Sequence, residues 1–91
     1  MNNAVLIQIK EATKNKPRRL VATLIDDNRI LNDKKLTQEL EVKGQFASIL
    51  PLVAEVTKRL LFYKGFNHLT PHIGALPNGD WCAVLLDETN Y

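Results

Sequence analysis

The hydrophobic residues of this chain recur with a period of two in its first half and change to the period of a helix between Phe46 and Lys64. From Ala4 to Lys10, "AVLIQIK" puts Val5, Ile7 and Ile9 on one face of an extended segment, the period of two that marks a strand. The polar, proline-containing "TKNKP" at 13–17 has the character of a loop. "RRLVATLI" then alternates again, with Leu20, Ala22 and Leu24 on one side and Val21, Thr23 and Ile25 on the other. The two runs predict a hairpin. Asp26, Asp27 and Asn28 carry short polar side chains that bond locally to the backbone and favour a turn, and Ile30 with Leu31 predicts a brief third strand. The next segment, residues 35–43 of "KLTQELEVKG", fits two periods. Leu36, Leu40 and Val42 alternate with Thr37, Glu39, Glu41 and Lys43, which favours a half-buried strand, while the Leu36 to Leu40 spacing also suits one helical turn. A strand closed by Gly44 is expected.

Between Phe46 and Lys64 the period changes to that of a helix. Pro51 is accommodated in a first helical turn, where its missing N–H has no partner to lose, so the firm part of the helix is placed at 51–64. Gly65 follows as the residue able to take a positive φ and end it. At about 100° per residue, Phe46, Ile49, Leu52, Val53, Val56, Leu60 and Tyr63 cluster around one direction. Leu50, Ala54 and Leu61 widen the apolar sector to roughly 200°, against the stripe of about 100° that a surface helix needs. Glu55, Lys58 and Arg59 fill the rest, with Phe62 in their midst.

Beyond the helix, Asn78-Gly79 stands between apolar runs, a pair suited to the positive φ values of a type I′ turn, and predicts a hairpin of about 72–77 with 80–86. Pro71 and Pro77 suit strand starts or edges. Trp81 and Cys82 fall on opposite faces of that hairpin. The pattern therefore predicts one α+β domain over residues 1–91: an N-terminal meander, one long helix and a C-terminal hairpin, the helix packed on a mainly antiparallel sheet of about five strands.

Composition narrows the setting. With 91 residues, 45% of them hydrophobic and 24% charged, the chain has the makings of one core and lies outside the disordered and low-complexity classes. Cys82 is the only cysteine, which excludes an intrachain disulfide framework and a cysteine-based zinc site and fits a reducing compartment. The N-terminal apolar run has no basic residues before it and no cleavage pattern after it. "GQFASILPLVA" is broken by Pro51 and stopped by Glu55, short of the roughly 18 to 20 residues that a membrane span requires. A cytoplasmic, soluble protein is expected.

Candidate chemistry is sparse. No G-x-S-x-G, P-loop, HExxH or dinucleotide fingerprint occurs, so no enzyme, cofactor or small-molecule ligand is expected. His68 and His72 have the spacing of a helical metal pair, but Pro71 between them removes the helix, and no metal site is expected. Two surfaces remain. Lys58, Arg59, Leu61 and Phe62 combine an aromatic anchor with a basic rim, the make-up of a protein interface; the same ring could stack on a nucleic-acid base. Lys14, Lys16, Arg18 and Arg19 form a basic loop able to meet phosphates, joined by Lys34 and Lys35 if the two loops share an end of the sheet. The alternative for the same charges is a solvated turn that keeps a sheet edge from pairing with another chain. The net charge of +2 is far from that of a dedicated nucleic-acid binder. The function expected is a non-enzymatic protein-interaction or regulatory module, either a homodimer or a subunit that docks on a protein partner. The alternative is a small nucleic-acid-binding protein.

Overall fold

Two eight-residue strands, β1 (Asn3–Lys10) and β2 (Arg19–Asp26), pair antiparallel along their full length, from Asn3 opposite Asp26 to Lys10 opposite Arg19. Their register sets Val5 against Leu24, Ile7 against Ala22 and Ile9 against Leu20, so the Val5 side of β1 and the Leu20 side of β2 coincide and form one surface. The connecting loop is held by two short bonds: the Thr13 N–H donates to the Lys16 carbonyl at 2.8 Å and the Lys16 N–H to Thr13 Oγ1 at 3.1 Å. The computed structural model describes residues 3–26, 29–30, 37–43 and 49–87. Leu31, Lys34, Lys35, Leu36, Gly44 and Phe46 lie outside the described residues.

The short β3 (Arg29–Ile30) and β4 (Thr37–Glu41) both pair with the outer edge of β2, β3 opposite Ile25 and Asp26 and β4 opposite Arg19 to Thr23. Lying end to end, they make one edge, and β4 is the strand expected in that segment. At the other side β6 (Trp81–Leu86) pairs with β1, and β5 (Thr70–Ala75) pairs with β6. Among the described residues every pairing is antiparallel and the sheet is five strands wide, with β1 at its centre. The one helix among the described residues, α1 (Leu50–Tyr63), comes between β4 and β5 in the chain. The fold is the α+β arrangement that the sequence pattern predicts.

The core sits between α1 and the face of the sheet bearing Val5, Ile7, Leu20, Ala22, Leu24, Ala83 and Leu85. From the helix it receives Val53, Val56, Thr57, Leu60 and Leu61. Thr57 is fully buried, and its hydroxyl donates to the Val53 carbonyl one turn back at 2.7 Å, which satisfies the one polar group on that face. The helix lies mainly over β2 and β4 and less over β1. Beyond it, Phe66, Leu69, Ile73 and Trp81 pack onto the same cluster and extend the core towards β5.

Both helix ends follow from single residues. Pro51 stands in the first turn. At the other end the Phe66 N–H donates to the Leu61 carbonyl at 2.8 Å and the Gly65 N–H to the Phe62 carbonyl at 3.3 Å. With Gly65 at φ 74°, these are the paired bonds of a Schellman motif, whose hydrophobic partner is Phe66 folding back onto the core.

The second hairpin corrects one expectation. Its turn is not a two-residue type I′ loop centred on Asn78-Gly79. The Gly79 N–H donates to the Leu76 carbonyl at 3.0 Å and the Leu76 N–H to the Asp80 carbonyl at 2.8 Å, enclosing Pro77, Asn78 and Gly79 in a three-residue loop. Pro77 presets φ at the second position of the turn, and Gly79, at φ 93°, takes the left-handed position that follows a turn in such loops. Proline before the Asn-Gly pair thus shifts the turn by one residue. Asp80 then ties the hairpin to β1: its Oδ1 accepts the Ile9 N–H at 3.3 Å, beyond the last β1–β6 pair at Ile7 and Trp81.

Replacement of Gly65 by Ala meets no neighbouring atom, so its cost is the left-handed backbone alone. Gly65→Ala is expected to lower stability by about 1 to 2 kcal/mol, and Gly65→Asn by less, in urea denaturation followed by circular dichroism. Equal stability of Gly65→Ala and the parent would contradict the Schellman assignment.

Candidate functional site: the outer face of the helix

The five buried residues of α1 span an arc of about 140° at 100° per residue, and Phe62 lies about 170° from the middle of that arc. Its ring therefore stands on the crest of the helix, 74% exposed. Residue geometry accounts for its place among the charges: the positions that point most directly away from the buried arc are 51, 55, 58, 59 and 62, and one of them holds a phenylalanine. Arg59 and Glu55 lie one turn apart on the same face, with Arg59 Nη2 donating to Glu55 Oε1 at 2.6 Å. Both are about half exposed, so the pair contributes only a few tenths of a kcal/mol to the helix. Lys58 is exposed on the opposite flank of the crest.

A groove runs along each flank of the ridge. Towards β4, a groove of about 430 Å³ is lined by Gln38, Lys58, Arg59, Phe62 and Tyr63. Towards β5, one of about 340 Å³ is lined by Lys58, Leu61, Phe62, Asn67, Leu69 and Pro71. Lys58 and Phe62 are common to both. The ridge thus offers an aromatic ring with apolar walls on either side and cations at its margins.

Two helix residues take different parts from those expected. Leu61 is only 3% exposed; it lies within the buried arc and forms the floor of the β5-side groove, because the helix is offset towards β4 and turns that flank down onto the core. Tyr63, grouped with the core by its angle, is 73% exposed, because it lies on the flank of α1 that faces β4, where the sheet ends. Helical angle marks the direction of a side chain and says nothing of where the sheet beneath it ends.

The basic loop is less basic in space than in sequence. Lys14 and Lys16 are exposed. Arg18 Nε lies 3.5 Å from Glu11 Oε1, and Arg19 Nε lies 3.9 Å from Glu39 Oε1, ion pairs without hydrogen-bond alignment at either Nε. The Arg19 side chain is 16% exposed, and its Nη1 also donates to the Pro17 carbonyl at 3.3 Å. The groove beside it is walled by Lys16, Pro17 and Arg19 but also by Glu39 and Glu41. The β2–β4 register, with Arg19 opposite Glu41, brings these carboxylates in. They are too distant in sequence for local charge counting to find. Lys34 and Lys35 lie outside the described residues.

His68 is in the turn after α1 and His72 on β5, where extended backbone replaces the helix that their spacing suggests. Among the described residues no group of three or more His, Cys, Asp or Glu is placed to hold a metal ion, and no helix is long and apolar enough to cross a membrane. Cys82 is a half-buried free thiol. On the sheet face away from α1, Val84 and Leu86 are 48% and 46% exposed, an apolar strip that the sequence pattern does not distinguish from the core. No family model, curated protein or solved structure matches the chain.

The contrast between neighbours Leu61 and Phe62 is directly measurable by chemical denaturation. Leu61→Ala is expected to cost about 2 to 5 kcal/mol of folding stability, the range for a buried leucine. Phe62→Ala is expected to fall within about 0.5 kcal/mol of the parent, as for an exposed side chain. Comparable losses at both positions would mean that Phe62 is a packing residue.

Proposed function

We propose that this chain is a non-enzymatic interaction module that self-associates through the outer face of α1, with Phe62 as its anchor and Lys58 and Arg59 at the rim. One observation carries the reading: a phenylalanine 74% exposed on the crest of a helix, beside a tyrosine 73% exposed, with a groove along each flank. Aromatic side chains, phenylalanine and tyrosine among them, supply large contact area and are enriched at protein interfaces relative to the rest of the surface. Leu61 contributes from below, as the apolar floor against which a partner side chain would rest. The cytoplasm, where an unpaired Cys82 persists as a thiol, is the proposed setting.

The nucleic-acid reading draws on Lys14 and Lys16 and has less behind it. Arg18 and Arg19, the other half of its described site, each face a carboxylate, and Glu39 and Glu41 would meet the same phosphates. A phosphate-binding groove does better without them.

Sedimentation equilibrium of the parent and Phe62→Ala, at low and high salt, tests the proposal. The parent is expected to show a mass above 10.3 kDa that rises with concentration and survives added salt. Phe62→Ala is expected to weaken the association by about 1 to 3 kcal/mol. A parent that stays at monomer mass up to about 1 mM, or a variant that associates as well as the parent, overturns the reading; that ceiling allows for an interface in the small, transient class.

A further inference from the structure

The outer face of α1 is complementary to itself when a second copy runs antiparallel to it, and this identifies the arrangement of the association just proposed, on which the inference rests. We infer that two copies pair helix to helix about a twofold axis level with Thr57, so that Glu55 of each copy meets the partner's Arg59.

The argument is one of position and charge. In an antiparallel pair about that axis, residues at matching height and matching angle come together: Glu55 and Arg59 on one flank, Phe62 and Pro51 along the crest, and Tyr63 and Leu52 at the outer edge of the Arg59 flank. Each of these pairs is chemically favourable. Phe62 and Tyr63, the exposed aromatic residues at the C-terminal end, meet Pro51, which is exposed, and Leu52, which is half-buried, at the N-terminal end. Glu55 and Arg59 fall on the same side of the crest, and the twofold axis keeps them on the same side of the interface, acid against base, twice. Within one copy the carboxylate uses Oε1 to accept from Arg59 Nη2, and a carboxylate has capacity for a second donor on its other oxygen. Lys58 lies on the other flank of the crest, near its own symmetry mate, where a long stem lets the ammonium turn outwards to water. A parallel pair would instead set each residue level with its own mate, Glu55 with Glu55 and Arg59 with Arg59, so that like charges share a height and no acid meets a base across the axis. The helix is about 21 Å long at 1.5 Å per residue, so the contact is short and its register rests on these few pairs.

Charge exchange tests the arrangement with variants that leave the buried face of the helix untouched. Glu55→Arg alone sets arginine against arginine twice across the axis, and Arg59→Glu alone sets glutamate against glutamate. Each is expected to weaken self-association by on the order of tenfold or more, since like charges brought together oppose binding. An equimolar mixture of the two is expected to form a mixed dimer, because both cross-axis contacts are then opposite in sign, and the double variant Glu55→Arg/Arg59→Glu is expected to dimerise alone. Circular dichroism confirms that each variant is folded. If the parent associates and Phe62→Ala weakens it, but the single charge variants associate normally or their mixture does not, the outer face is the interface and the antiparallel register is wrong. If the parent stays monomeric, the arrangement and the reading beneath it both fail.

Discussion

One helix has to cover one face of a sheet that is wider than it is. A helix with its side chains is about 10 Å across, whereas five strands spread over roughly 19 Å. The molecule resolves the mismatch by placing α1 over β2 and β4, with a lesser share on β1, and by filling the remaining space with Phe66, Leu69 and Trp81. Most other features follow from that offset. It rolls Leu61 down into the core, leaves a groove between the helix and the start of β5, and makes position 62 the point farthest from the sheet. Without the Schellman turn at Gly65, which folds Phe66 back under the helix end, the β5 side of the core would lack its first cover.

Burial of apolar surface and closure of the backbone bonds act together in this structure. The β1–β2 register places three apolar residues of each strand on a common face, and hydrophobic burial then fixes that register, since a slip of one residue would turn all of them outwards. Thr57 shows the polar side of the same rule: its hydroxyl tolerates full burial because the Val53 carbonyl is within reach. Asp80 does comparable work where β6 runs out, its carboxylate accepting a β1 N–H beyond the last paired residues. The exposed aromatic residues on α1 belong to neither scheme. They contribute to no core contact that the fold requires, which is why a role in association accounts for them better than one in folding.

Much of this was legible from the chain. The period of two in "AVLIQIK" and "RRLVATLI" identified both strands and which residues share a side of each, because successive side chains of a strand point to opposite faces. Pro51 and Gly65 bracketed the helix to within a residue, because each has a backbone property that other residues lack. Phe62 was conspicuous among charges for the same geometric reason that exposes it. What escaped depended on position in space. The width of the sheet under α1 decided that Tyr63 is exposed and Leu61 buried, and no angle along the helix carries that information. The carboxylates beside Arg18 and Arg19 come from Glu11 and from Glu39 on a paired strand, which only the loop closure and register bring near. In "WCAVLL" both faces are apolar, so the exposure of Val84 and Leu86 was hidden by a pattern with no polar face. The Asn-Gly pair pointed to the right hairpin and the wrong turn, because Pro77 before it fixes the second turn position instead.

The central claim is that the crest of α1 is where this protein meets its own kind. Nuclear magnetic resonance spectra recorded over a concentration series would locate the self-contact residue by residue. The account predicts concentration-dependent amide shifts confined to the outer face of the helix, at Leu52, Glu55, Arg59, Phe62 and Tyr63, with the strip around Val84 and Leu86 and the loop from Lys14 to Arg19 unmoved. Shifts gathered on that strip or that loop, with the helix silent, would contradict it.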